Sequence, residues 1–393
     1  MPDPALVHEG AVNGRATHVI AIGIGQYDHL PGGSGRLAKH HLELKQVSTP
    51  PASARAIASW FIEKFDCTDR PLASVSLVLS EKQPAPFTNV KTGTAYNSLP
   101  SGKMLEVREA LRAWMRRAET DPDNAAVLYF CGHGLSAGVQ NYYLLRDYGK
   151  DDEEPLLGAI NFRNFLSGLS TKTPTFQFLL FDACRSENPV IDLNRDSGQS
   201  IFMADPAGRM GLPPHLRKVQ QCPIFSTEDV ALGRPNEPSL CAQAFIRVMN
   251  GAAARKDDPN ANEWFVTTHG IDMHLSDFQN REASRGGRSQ SADANSYAKF
   301  RLRRIGPRRP PVPVFVRVKD AARRARLKIT AEPPNQPPVL ISDPTRPDWQ
   351  AMDEWVKELE VGNCIFKAVD INDPNQIETQ QDVVAPSQLD VRF

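Results

Sequence analysis

The feature that most limits what this chain can fold into is a rhythm in which short apolar runs alternate with amphipathic segments. Residues 18–27 (HVIAIGIGQY), 74–80 (SVSLVLS), 125–130 (AAVLYF) and 175–181 (TFQFLLF) are nearly continuous in branched and aromatic residues, the pattern of strands buried on both faces. Between them, residues 52–65, 103–118 and 160–170 carry apolar side chains at three- and four-residue spacing, as helices with one buried stripe do. Strands buried on both faces need a layer on each side. The alternation therefore predicts an α/β three-layer sandwich around a mostly parallel six-stranded sheet with helices on both faces. Residues 222–226 supply a fifth strand, helices follow at 239–250 and 268–281, and 312–318 is read as a sixth strand closing the domain near residue 319.

Composition narrows the remaining choices. The chain holds 46 Lys and Arg against 46 Asp and Glu, so no global charge draws it to nucleic acid or an anionic membrane, and nucleic acid is not an expected partner. With 32 prolines and 25 glycines, long irregular connections are expected, and residues 187–221 and 282–295 read as two of them. The six cysteines, at 67, 131, 184, 222, 241 and 364, form no CxxC pair, which argues against a disulfide framework or a zinc site. No window offers the roughly 18 unbroken apolar residues of a membrane span, and the start has no leader pattern. A cytoplasmic protein is the expectation. From 320 to 393 the character changes to a small α+β appendage, with a helix expected at 348–361, capped by Asp348 and ended by Gly362, and a strand at 364–369.

Two places set a reactive side chain just past the carboxyl end of a buried strand, where open α/β sheets build their ligand crevices. The third strand ends in YFCGHG and the fourth in LLFDACRS, which puts His133 and Cys184 51 residues apart. If those strands are parallel neighbours, both side chains reach the same sheet edge. A thiolate attacks carbonyl carbon well, and a nearby imidazole can lower the thiol pKa or protonate a leaving amine. The amides of Gly134 and Cys184 can point at a developing oxyanion. Cys131 is read as a small buried side chain.

These motifs, within this order of strands and helices, resemble the caspase and metacaspase clan of cysteine peptidases over roughly residues 15–319. The spacing of histidine and cysteine is itself a known caspase signature. The resemblance implies a caspase-like sheet, with Cys184 as nucleophile, His133 as general acid/base and Gly134 as oxyanion donor. Animal caspases carry glutamine where this chain has Asp182 and glycine where it has Ser186. Asp182 resembles the metacaspase arrangement, in which the equivalent acid holds arginine or lysine, and Glu228 and Asp229 add further negative charge. A basic P1 residue is therefore expected. The resemblance to prokaryotic caspase-like proteins implies cleavage of a specific protein partner, such as a pore-forming protein in a cell-death or defence system. It also implies self-cutting in the stretch 187–221, for which Arg195 and Arg209 are the first candidates, ahead of Arg217 and Lys218.

The peptidase chemistry requires no cofactor. Calcium activation is a further expectation, carried by Asp147, Asp151 and Asp152 of an acidic run, since calcium favours several carboxylates close together. A basic stripe over residues 301–328 sets eleven Lys and Arg against the single acid Asp320. It motivates two rival readings, a nucleic-acid-responsive sensor and a non-catalytic caspase-like adaptor that uses the fold only to bind.

Overall fold

The computed structural model describes all residues except 1–2, 138–139, 185, 188–197, 206, 227–233, 258–261, 286–297, 335, 347–348, 350–351, 353 and 387. The chain forms two compact units, one of Met1–Ile246 with Thr267–Arg304 and one of Arg247–Val266 with Ile305–Phe393. Among the described residues no helix is long and apolar enough to cross a membrane.

The first unit begins with β1 (Leu6–Glu9), β2 (Thr17–Ile24), α1 (Thr49–Lys64) and β3 (Leu72–Ser80), followed by a small hairpin of β4 (Phe87–Thr88) and β5 (Ala95–Tyr96). It continues through α2 (Met104–Ala118), β6 (Ala125–Gly132), β7 (Gly134–Ala137), β8 (Gln140–Leu144), β9 (Ala159–Asn161), α3 (Phe162–Leu169), β10 (Phe176–Ala183), β11 (Ser186–Glu187) and β12 (Gln220–Phe225). Six of these strands form the central sheet in the order β1-β3-β2-β6-β10-β12. All neighbours are parallel except β1, which runs antiparallel to β3. A four-stranded sheet, β11-β7-β8-β9, stands beside it.

Every residue of β2 and β6 is buried, as strands covered on both faces must be. On one face Val107, Leu111 and Trp114 of α2 and Phe165 of α3 share a core with Ile20, Ile22, Leu128, Phe130, Leu179 and Phe181. On the other, Phe245 of the helix Leu240–Arg247 stacks on Phe178 at 5.7 Å and meets Phe61 of α1 at 6.5 Å. This layer lies close enough to constrain sequence. A Cβ on Gly23 would stand 2.4 Å from the carbonyl oxygen of Pro50 and 2.9 Å from the Ala54 methyl, so β2 needs glycine where the start of α1 crosses it. Pro50 and Pro51 sit in the first turn of α1, where a missing N–H costs the helix nothing. The predicted three-layer α/β sandwich with a mostly parallel six-stranded sheet is what the structure shows.

Two sequence expectations are corrected. The strand expected at 312–318 exists as Pro311–Arg317, but it pairs with Glu354–Glu360 and Leu389–Arg392 in the second unit. The sixth strand of the central sheet is instead β1. An apolar run specifies a buried strand without saying which neighbour buries it, so local pattern could not choose between the two sheets. The Pro311–Arg317 strand falls in the second unit, which holds Arg247–Val266 and Ile305–Phe393.

The helix expected at 348–361 is replaced, over Glu354–Glu360, by a strand of seven residues. Trp355 and Leu359 enter the second core beside Val312, Val314 and Val316, and Glu354 pairs with Arg317 at 2.9 Å. In EWVKELE the apolar residues fit both a two-residue and a three-to-four-residue period, and pairing with Pro311–Arg317 settles it. Asp348 lies outside the described residues. The expected strand at 364–369 falls inside Gly362–Asp370, and a short helix, Ala321–Arg324, lies between strands of the second unit.

Candidate active site

β6 and β10 are parallel and in register, with Asp182 opposite Cys131 and Ala183 opposite Gly132. One step further the register sets Cys184 opposite His133, just past both strands. The chain then continues the pairing, Ser186 opposite Leu135, as β11 against β7. The Gly134 amide donates to Cys184 Sγ at 3.4 Å, and the thiol faces the Gly134 carbonyl oxygen at 3.2 Å. A Cβ on Gly134 would stand 2.2 Å from the Cys184 carbonyl oxygen, so only glycine allows these two segments to approach.

The imidazole of His133 is held from two sides. Its Nε2 lies 2.7 Å from the Lys45 carbonyl oxygen. A carbonyl can only accept, so Nε2 carries the proton and Nδ1 is the basic nitrogen. Its backbone N–H donates to Tyr27 Oη at 2.7 Å, Tyr27 Oη donates to the Ile24 carbonyl at 3.1 Å, and the two rings lie 5.0 Å apart. His133 is 4% exposed and Cys184 2%. Burial holds the His133 pKa below the ordinary histidine value, against a smaller upward pull from the Lys45 carbonyl. The ring is therefore neutral near neutral pH and able to take a thiol proton.

Asp182 lies two residues before Cys184 and is completely buried. It accepts hydrogen bonds from Tyr129 Oη and Ser226 Oγ, each at 2.8 Å, and from Ser239 Oγ. Burial raises its pKa despite these donors. Ser239 also accepts from the Ala242 amide, and its own amide donates to Ser53 Oγ. The carboxylate thus ties β6, β10, the end of β12 and the start of the next helix together. Glu228 and Asp229, expected beside it, lie outside the described residues. The Cys131 and Cys241 thiols are pushed well up by burial and by the nearby Asp182 charge, which fits the reading of Cys131 as a buried structural side chain.

Asp147, Asp151 and Glu154 line one cleft with Lys150, and each aspartate of the run has hydrogen-bond partners of its own. Asp147 caps the start of α2 by accepting from the Met104 amide. Asp151 accepts from the Glu153 and Glu154 amides, and Asp152 binds Arg36 and the Lys39 amide. Among the described residues no group of three or more His, Cys, Asp or Glu converges to hold a metal ion.

Arg209 is corrected from exposed loop residue to internal anchor. It is 6% exposed and donates to the carbonyls of Lys172, Thr173, Leu216 and Arg217 and to Thr175 Oγ1. Ile201 and Phe202, from the same aperiodic stretch, are buried in the core, while Arg195 lies outside the described residues. Arg217 and Lys218 remain exposed.

Sequence reasoning missed Tyr27, the Lys45 carbonyl and the three hydroxyls around Asp182. Tyr27 carried a usable signal, since it follows β2 by three residues and must arrive at the same sheet edge as His133. A cleft of about 540 Å3 opens at this edge between Gln26, Gln46, Ser48, Ser80 and Asn236.

Residues 93–266 match a family model described as Peptidase C14, caspase domain. The uncharacterized protein y4kE of Sinorhizobium fredii (strain NBRC 101917 / NGR234) is 29% identical over 147 residues, which cover 33% of this chain and 40% of that protein. The match therefore spans less than half of that relative's length. Two solved structures are also similar. One, described as the structure of pro-sf-caspase-1, is 11% identical with a TM-score of 0.38, covering 72% of this chain and 91% of the other. Caspase-1 from Spodoptera frugiperda is 12% identical with a TM-score of 0.40, covering 72% and 86%. Over residues 93–266, then, the chain is similar to the caspase domain of that cysteine-peptidase family.

Proposed function

We propose that the protein is a cysteine endopeptidase in which Cys184 and His133 act as a dyad. The observation that carries this is the placement of the Cys184 sulfur at the end of β10, within reach of the Gly134 amide, with the fixed ring of His133 at the end of the neighbouring strand. Nδ1 of His133 takes the thiol proton as Sγ attacks the peptide carbonyl carbon. The same proton passes to the leaving amine as the C–N bond breaks, and water then hydrolyses the thioester. The Gly134 amide, now directed at the sulfur, is available to the oxyanion that forms beside it. No cofactor enters this chemistry, and calcium activation gains no support from the separate tasks of Asp147, Asp151 and Asp152.

A basic P1 residue is part of the proposal. Asp182 places a carboxylate two residues from the nucleophile on the same strand face, with its hydroxyl ring as the floor against which an arginine or lysine can be held. The cleft beside Lys45 is the side from which an extended peptide would approach. The substrate is a protein, and a pore-forming protein of a cell-death or defence system is the partner class that family resemblance implies. Profiling a peptide library with wild type and Cys184→Ala tests the reading. Cleavage after Arg or Lys by the wild type alone supports it; cleavage after Asp, or equal turnover by both proteins, refutes it.

A further inference from the structure

The basic stripe at 301–328 is not one surface. Arg301, Arg303 and Arg304 belong to the first unit, while the residues from Arg308 onward belong to the second. In the first unit they meet Arg15, Arg70 and Lys299, which are distant in sequence, around a cleft of about 440 Å3. Its other walls are Cys67, Asp69, Phe176, Gln220 and Phe300. Six cationic side chains thus face one carboxylate, and that carboxylate, Asp69, is taken up by Arg304 at 3.1 Å.

The location follows from the topology. Arg15 lies two residues before β2, Arg70 two before β3, Phe176 opens β10 and Gln220 opens β12. These strands are parallel, so the cleft sits at their amino edge, and the eight residues of β10 separate it from the Cys184 edge by roughly 25 Å. Nothing in the peptidase chemistry uses it. Arg15, Lys299 and Arg301 are exposed, while Arg70, Arg303 and Arg304 are half-buried. Burial, then the neighbouring charge of Arg15, holds the Arg70 guanidinium below its ordinary range, so this cluster pays for its own assembly. The charges of Asp66 and Asp123, outside the cleft walls, offset part of that repulsion.

We propose that this amino-edge cleft binds a linked chain of phosphates, free or as the tail of a nucleotide. Convergent guanidinium groups fit phosphate oxygens through paired charge-assisted hydrogen bonds, and the cleft has the size of a small-molecule site. A single-stranded nucleic acid would need open aromatic platforms. Here the face of Phe176 is covered by Arg70 at 4.0 Å, and Phe300, packed 5.3 Å from Phe176, is itself buried. Phosphate recognition without base stacking is what this lining offers.

The test is calorimetric titration of the full chain with tripolyphosphate, ATP and a single-stranded oligothymidine at near-physiological salt. Wild type should bind tripolyphosphate and ATP one to one with similar affinity. Arg15→Ala/Arg301→Ala, which truncates two exposed side chains, should weaken both by about tenfold or more. Arg308→Ala/Arg309→Ala, with the same charge loss in the second unit, should bind as wild type does. ATP binding much more tightly than tripolyphosphate would also support the site and identify a nucleotide as the source. The proposal is overturned if neither phosphate compound binds, if both double variants lose affinity equally, or if oligothymidine binds while tripolyphosphate does not.

Discussion

Replacing Tyr27 with phenylalanine isolates one hydroxyl that joins the fold to the backbone of His133. The ring, fully buried and 5.0 Å from that of His133, is retained. What is lost is the acceptor for the His133 N–H at 2.7 Å and the donor to the Ile24 carbonyl at 3.1 Å. A buried N–H left without a partner costs about 1–3 kcal/mol, and a carbonyl that keeps its second lone pair for other donors adds less. A loss of about 2 kcal/mol follows, small enough beside a typical stability of about 5–15 kcal/mol for the variant to fold. The larger consequence is kinetic, because the peptide unit that aims the imidazole is released, and a displacement of about 1 Å in a catalytic group can cost about a hundredfold in rate. Tyr27 therefore acts as a positioning residue. Urea denaturation should show a lower midpoint with an unchanged slope, and cleavage of a fluorogenic peptide should show kcat reduced at least tenfold with KM nearly unchanged. Wild-type stability together with wild-type kcat would refute the reasoning.

Three further outcomes are expected. Asp182→Asn turns one of the two oxygens that accept from three hydroxyls into an NH2 donor but also relieves a buried charge; stability should change by no more than about 2 kcal/mol, while kcat/KM for Arg substrates should fall at least tenfold, and unchanged Arg cleavage would remove Asp182 from specificity. His18 is buried, and burial followed by the Arg117 charge lowers its pKa from 6.5 to about 4. The unfolded chain thus binds more protons between those values, so the contribution is complete above pH 6.5 and is lost as pH falls toward 4, by about 3 kcal/mol. Melting curves across that range should flatten in His18→Gln, and an unaltered pH dependence would exclude His18 as the source. If concentrated enzyme cuts itself, mass spectrometry should place the cut at exposed Arg217 or Lys218 or in the stretch around Arg195, and a cut at Arg209 in folded protein would contradict its burial.

The legible and illegible parts of this protein differ in kind. The apolar runs at 18–27, 125–130 and 175–181 announced strands because burial on both faces leaves no polar alternation, and His133 and Cys184 followed from them because parallel strands end at one edge. The partner of Pro311–Arg317 was illegible, since pairing is a long-range choice. EWVKELE misled because its period is ambiguous, and Arg209 because an aperiodic stretch hides whether a side chain points inward. Lys45 holds His133 through its backbone carbonyl, which any residue could supply. A buried hydroxyl ring such as that around Asp182 joins residues 110 positions apart, from Tyr129 to Ser239.

In the proposed mechanism one buried thiol, that of Cys184, among six cysteines outside disulfides, is the nucleophile because His133 takes its proton. Incubating the native chain with an electrophilic peptide ketone carrying a basic P1 residue, followed by peptide mapping, tests this directly. The expected result is one label per chain, on Cys184, abolished in His133→Ala under conditions where circular dichroism shows that variant folded. Labelling spread over several cysteines, or undiminished labelling of Cys184 without His133, would contradict it.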